Sequence, residues 1–280
     1  MSQRIGQQRA PGFWPLAIVF ALFVLFLYGP MIVIYILSFQ GPNGGMTFPL
    51  NGVSLHWFDA LISQTRVGDI AGSFVRSIGL AAIVAVVTVV LSVLAGLAFR
   101  RRFRGSAFAF YLAIASLIMP GLFVGLGIAL TFRLLGLPTE WYTTALGAQL
   151  TWTLPFGLLI MFAVLGRFNR SYEEAATDLG ATNWQKVREV TLPILLPGII
   201  GVALFGFTLS YDEIARTALA AGSKNTLPLE IWAMTTNVTS PTLYAVGAVT
   251  TIVSFIVIIL ALGSIAIVQR RRAAAGMRTE

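Results

Sequence analysis

Six apolar runs, each long enough for a membrane-spanning helix, decide what this chain can fold into. They cover roughly 13–38, 76–99, 106–132, 143–166, 194–213 and 243–268. About 20 consecutive apolar residues cross a bilayer core as a helix. Lipid offers a peptide group no hydrogen-bond partner, so each run must satisfy its own backbone. The expected fold class is an all-α membrane protein with six transmembrane helices. Only 11% of the 280 residues are charged, against about 25% in a soluble domain. The first run is expected to be an uncleaved span rather than a signal sequence. Phe13 to Phe39 is too long, is interrupted by Gly29-Pro30 and has no A-x-A site behind it. Pro30, Pro120, Pro155 and Pro197 fall in or at the ends of four runs, which is tolerated where neighbouring helices re-satisfy the freed backbone groups.

An even number of spans puts both termini on one side, and the basic residues say which. Arg4, Arg9, Arg100, Arg101, Arg102, Arg104, Arg167, Arg170, Lys186, Arg188, Arg270, Arg271, Arg272 and Arg278 all fall on one face. These are fourteen of the 19 basic residues, so that face is expected to be cytoplasmic. The pI of about 10.4 is then a topology signal rather than a nucleic-acid patch. The expected organisation is a cytoplasmic tail over 1–12, a six-span domain over 13–268 and a second cytoplasmic tail over 269–280. On the other side, 40–52 (GPNGGMTFPLNGV follows Gln40) is expected to be a Gly/Pro/Asn loop. Residues 54–63 are expected to form a short amphipathic helix at the interface, opened by Ser54.

Several chemistries are excluded by what the chain lacks. It has no cysteine and a single histidine, His56, so thiolate sites, disulfides and His clusters are absent. A phosphate-binding loop needs a Gly-Lys pair. The lysines here, Lys186 and Lys224, follow Gln185 and Ser223. The chain is therefore not expected to hydrolyse ATP or to be an enzyme. Gly121, Gly125 and Gly127 around Pro120 make no dinucleotide fingerprint and suit close helix packing.

Between runs 4 and 5 lies a polar insert, RSYEEAATDLGATNWQKVREVTLP, residues 170–193. Ser171 with Glu174 has the spacing of a capping box, and Tyr172, Ala175, Ala176 and Leu179 form a helical stripe. Gly180 stands where a positive φ ends a helix. Thr182 with Gln185 makes a second capping box, and Trp184, Val187 and Val190 share a face up to Pro193. Helix, glycine turn and helix are expected, with Ala175, Ala176 and Gly180 leaving a flat face for another protein. A DNA-reading motif would need net positive charge, and here, with Arg167 just before the insert counted in, four basic and four acidic residues cancel.

These residues resemble the EAA pattern, EAA-x3-G-x9-[IV]-x-LP, of the membrane subunits of bacterial ABC importers, with Glu174, Ala175, Ala176, Gly180, Val190, Leu192 and Pro193 placed. Further stretches, SLHWFDAL (54–61) and LSYDEIAR onward (209–248), resemble the permease family that moves spermidine and putrescine. The resemblance implies a type I ABC importer permease fold with the coupling element over 171–193. It implies that these seven residues dock on the ATPase. The implied partners are a second homologous permease subunit, two ATP-binding subunits and an extracytoplasmic (periplasmic) substrate-binding protein. ATP and Mg would sit on the partner ATPase, with no cofactor and no metal in this chain. The location implied is the bacterial inner membrane, multi-pass.

In SYDEIAR (210–216), Asp212 and Glu213 end or interrupt run 5. Acids in lipid are costly unless they line water or find a partner. With Tyr211 they are candidates for a cation pathway, or else they sit at the outer interface, paired with Arg216. The expected function is one half of an alternating-access pathway for a small organic cation, a polyamine first. Another amine, an opine or an amino-acid-like solute is the alternative within the class. A gradient-driven secondary transporter could also have broken helices and midplane acids, but has no use for an EAA element. A structural scaffold leaves Asp212 and Glu213 unexplained.

Overall fold

A computed structural model describes residues 12–63, 68–101, 103–237 and 240–276. Arg4, Arg9, Arg66, Arg102, Arg278 and the outer parts of both expected tails lie outside the described residues. The chain divides into two compact units, one of residues 1–66 and 238–251, the other of 67–237 and 252–280.

In the first unit, helix α1 (Phe13–Leu37) carries Pro30 inside it and buries only Leu37. Large side chains such as Phe20 and Phe26 face outward along its length, as a lipid-facing helix requires. The loop that follows is organised by one side chain. Gln40 is fully buried; its Oε1 accepts from the N–H groups of Asn51 at 2.7 Å and Gly41 at 3.2 Å, and its Nε2 donates to the carbonyl of Gly45 at 3.1 Å. Tyr244 donates its hydroxyl to the Met46 carbonyl at 2.7 Å. Helix α2 (His56–Ser63) begins where expected, with the Ser54 hydroxyl accepting from the His56 N–H at 2.9 Å.

The second unit is built on α3 (Ile70–Phe99), which packs on α6 (Leu146–Gly166) and α9 (Leu192–Tyr211). The buried face of α3 runs through Ser73, Ser77, Ala81, Ala85, Thr88, Ser92 and Gly96. Small residues three or four apart let helices in lipid approach closely. At the contact with α6, a β-carbon on Gly157 would stand 2.3 Å from the Ser92 hydroxyl, so only glycine fits. Beside it the buried hydroxyls of Thr88 and Thr153 share a hydrogen bond of 2.8 Å. Nearer the insert, Val93, Met161, Leu195 and Val202 form a core cluster on which Phe168 and Leu192 also pack.

Among the described residues, five helical stretches are long and apolar enough to cross a membrane; the third run differs. It is two helices, α4 (Ser106–Ala115) and α5 (Gly121–Leu134), about 15 and 21 Å long. The break falls before Pro120, whose ring disfavours helical geometry at Met119. It is pinned by Ser116, whose hydroxyl donates to the Ala113 carbonyl and to the Thr151 carbonyl of α6, each at 2.7 Å. Boundaries also move: the helix of the sixth run, Thr242–Gly276, extends past the expected 268, and two others shift for visible reasons. α3 starts six residues before the expected 76, because Asp69 caps it through the Gly72 N–H and pairs with Arg76 at 2.7 Å. Arg76 Nε also donates to the Asn225 carbonyl at 2.7 Å, so this charge belongs to the helix rather than preceding it. Run 5 ends at Tyr211, leaving Asp212 and Glu213 beyond its last turn. Helix α10 (Leu227–Asn237) was not expected; the Leu227 N–H bonds the Ser77 hydroxyl at 2.8 Å.

Candidate functional site

The insert folds as α7 (Ser171–Asp178), a turn, α8 (Asn183–Gln185) and a π-helical turn over Lys186–Thr191 that runs directly into α9. Gly180 has φ +81°, a conformation that a side chain would strain. The second capping box forms: Thr182 and Gln185 exchange hydrogen bonds at both ends. The first does not. Arg170 occupies the cap without a side-chain bond, and the Asn169 carboxamide accepts from the Ser171 N–H at 3.0 Å. Helix α7 therefore starts one residue earlier than the Ser171–Glu174 spacing predicts, which leaves Glu174 exposed with no side-chain partner among the described residues. Pro193 does not stop the helix as expected. It sits in the first turn of α9, directly after the π turn, whose wider backbone spacing leaves room for its ring.

The structure places the seven EAA positions in two groups. Glu174, Ala175 and Gly180 are exposed and Ala176 is half-buried, whereas Val190, Leu192 and Pro193 are half-buried, Leu192 against the core cluster of Val93, Met161, Leu195 and Val202. Around the exposed group Leu179 is 89% and Trp184 66% accessible, with Tyr172 beside them. Large apolar side chains on a polar surface segment mark a contact face.

One residue the sequence reading passed over holds this segment in place. Glu173 accepts two parallel bonds from the Arg100 guanidinium, 2.7 Å and 2.8 Å, and a third from the Thr191 hydroxyl at 2.6 Å. Arg100 in turn lies 5.0 Å over the Phe168 ring. The guanidinium hydrogen-bonded to Glu173 holds its carboxyl below the usual range, against partial burial, with the Thr191 bond and the Lys186 charge acting in the same sense. Arg101, Arg170 and Lys186 line the same cleft, of about 380 Å³, so the clamp sits in a positive surrounding. The signal was present as an arginine just after run 2 and a glutamate in the insert, but the pairing spans 73 positions.

At the far end of α9 the two candidate acids part company. Asp212 is exposed, and no side chain pairs with it among the described residues. Glu213 turns inward: it pairs with Arg216 at 3.6 Å and accepts the Arg216 N–H at 2.8 Å. Arg216 is only 5% exposed, and its guanidinium lies 4.4 Å over the Trp152 ring of α6. A β-carbon on Gly125 would stand 2.2 Å from the Arg216 carbonyl oxygen. Gly121 likewise abuts Arg216, so these two glycines serve close packing as expected, while Gly127 faces open space. Tyr211 is buried and stacks on Phe207, centroids 5.9 Å apart. The buried amide of Gln149 ties this end together, accepting from the Ser210 hydroxyl and donating to the Thr217 hydroxyl at 2.9 Å. An amide in an apolar run is the signal for it.

Residues 88–273 match the family described as "Binding-protein-dependent transport system inner membrane component". The chain is 26% identical over 236 residues to the spermidine/putrescine transport system permease protein PotC of Escherichia coli K12, covering 84% of this chain and 87% of that one. It is 30% identical over 227 residues to the putrescine transport system permease protein PotI of the same organism, covering 78% and 79%. Among solved structures, a chain of the bacterial alginate ABC transporter in complex with an alginate pentasaccharide-bound periplasmic protein superposes with a TM-score of 0.63 at 15% identity, over 89% of this chain and 91% of that one. A chain of the inward-facing MetNI methionine ABC transporter gives 0.59 at 17% identity, over 77% and 99%.

Proposed function

The chain belongs to the binding-protein-dependent transport system inner membrane component family, and from that premise we propose that it forms half of the pathway for a polyamine. It is a multi-pass membrane permease of the ABC importer class with the type I fold, and not an enzyme. The observation that carries the substrate reading is the alignment with two polyamine permeases over about four fifths of each chain.

In the proposed cycle the insert end of the bundle is cytoplasmic, with both termini on that side. Glu174, Ala175, Ala176 and Gly180, with the exposed Tyr172, Leu179 and Trp184 around them, meet one of two ATP-binding subunits, on which ATP and Mg sit. Val190, Leu192 and Pro193 join that face to α9. A second permease subunit supplies the other half of the pathway, and an extracytoplasmic binding protein delivers the solute. ATP-driven closure of the ATPases draws the insert regions together, and α3, α6 and α9 rock to open the opposite end. There Asp212 offers its free carboxylate to the cation, with Tyr211 and Glu213 beside it. Its exposure and lack of a partner support this role; Glu213 contributes by fixing the loop through Arg216.

The test is uptake in vesicles reconstituted with both partner subunits and the binding protein. Asp212→Asn should lower uptake of spermidine more than that of a monoamine, and more at low ionic strength, because the lost attraction scales with substrate charge and is screened by salt. Equal loss for both solutes, or none, removes Asp212 from the pathway. Uptake that continues without ATP returns the chain to the gradient-driven class.

A further inference from the structure

Helix α7 poses a mechanical problem. It has eight residues and buries none of them, and isolated helices shorter than about 12–15 residues are marginal in water. No buried apolar face fixes it against the bundle, yet a segment that passes a push from a partner must not yield. Its side-chain attachments among the described residues are few. Thr177 accepts from Lys186 at 3.0 Å, within the exposed insert itself. Tyr172 meets Phe168 edge-on with centroids 6.4 Å apart. The remaining attachment is the three-bonded Glu173.

We propose that Glu173 is the positioning residue that makes the insert and the membrane helices move as one body, by clamping α7 to the end of α3 through Arg100 and to the base of α9 through Thr191. Three features of the geometry carry it. The Arg100 contact is a two-pronged, charge-assisted pair, which fixes direction as well as distance. The third bond, from Thr191, comes from a buried residue at the junction of the π turn and α9. The guanidinium is itself seated on Phe168, which packs on the cluster of Val93, Met161, Leu195 and Val202. A load applied to α7 therefore passes through one carboxylate to two spans and to the core between them. The clamp rests on the proposed reading of the insert as the ATPase-facing segment, and adds where force leaves it.

The experiment uses the complete complex with its partner subunits. Glu173→Gln keeps a hydrogen-bond acceptor and removes the charge. Because bonds to charged groups are worth more than neutral ones, solute imported per ATP hydrolysed should fall about tenfold, while the ATPase still co-purifies and its basal hydrolysis persists. Thr191→Val, which removes only the third bond, should give a smaller fall in the same ratio. The exchange Arg100→Glu with Glu173→Arg should recover part of what either single change loses. A purely structural role predicts something else: less complex, with an unchanged ratio in whatever assembles. An unchanged ratio in both Glu173→Gln and Thr191→Val, or no recovery in the exchange, overturns the clamp. Gly180→Asp, which loads the turn with a side chain and a charge, is the control for the underlying reading. If it uncouples uptake while Glu173→Gln does not, the clamp alone fails; if it too transports normally, the docking role of the insert fails with it.

Discussion

Removing the charge of Glu213 should destabilise the protein, and removing Arg216 along with it should undo most of the damage. The pair is secluded, with side chains 9% and 6% accessible. Breaking a buried pair by deleting one partner costs about 3–5 kcal/mol, because the other charge stays behind unpaired. Two features here reduce that. The separation of 3.6 Å is longer than the ~2.7–2.9 Å of a strong charge-assisted bond. The Trp152 face under the guanidinium retains about 0.5–2 kcal/mol of attraction when Glu213 is gone. Arg216 Nε already lacks a hydrogen-bond partner among the described residues, so the arginine has little else to fall back on. Glu213→Gln should therefore cost about 2–3 kcal/mol, since glutamine can still accept the Arg216 N–H. Glu213→Gln with Arg216→Met removes both charges and leaves an apolar chain over Trp152; replacing a buried pair this way is often neutral. The readout is the temperature at which the detergent-solubilised complex loses its monodisperse elution peak. A single variant as heat-resistant as the parent, or a double variant as fragile as the single, would refute the reasoning. In the fraction that stays folded, the preference for multivalent over monovalent amines should survive Glu213→Gln, unlike Asp212→Asn.

Gly125→Ala should also separate packing from chemistry. Its new methyl would stand 2.2 Å from a backbone carbonyl oxygen, which no rotamer change relieves, so a loss of about 1–3 kcal/mol is expected; Gly127→Ala, facing open space, should be silent in the same thermal assay. The Glu173 clamp should respond to acid. Its carboxyl titrates below the ordinary 4.5, so its stabilisation is fully present above that pH and disappears as pH falls through the lowered value. Protection of α7 amides, taken relative to their intrinsic exchange rate at each pH, should fall in acid in the parent and lose this component in Glu173→Gln, and identical protection profiles would contradict it.

The parts legible in the sequence were those fixed by neighbours along the chain. Hydropathy needs only a window of about 20 residues, and it located the apolar runs; the Thr182–Gln185 box and the Gly180 turn are likewise local patterns. Errors arose where a distant group changed the local balance. Arg76 reads as a span boundary until Asp69 and the Asn225 carbonyl satisfy it. Met119-Pro120 reads as a kink in one helix until Ser116 ties the break to α6. The Ser171–Glu174 spacing fits a cap, but Asn169 takes the bond first. At the sites the same division holds. The EAA positions stand in a contiguous pattern, whereas the Glu173–Arg100 pair and the Gln149 bonds to Ser210 and Thr217 join elements about 60 to 70 positions apart. Glu213 and Asp212, adjacent in sequence, end in different surroundings, one paired with Arg216 and the other exposed, because the helix stops at Tyr211 and its last turn no longer dictates where they point.

That the insert enters α9 through a π turn, without a loop, turns this stretch into a lever. Asn183–Tyr211 is one rod of 29 residues, about 43 Å from end to end. A tilt of roughly 10° about its middle would carry each end about 4 Å, in opposite directions. On the proposed reading, Trp184 near one end of the arm lies on the face that meets the ATPase, and the carboxylate of Asp212 follows its other end. Closing one mouth and widening the other would then be a single displacement, timed by geometry rather than by a relay of separate steps.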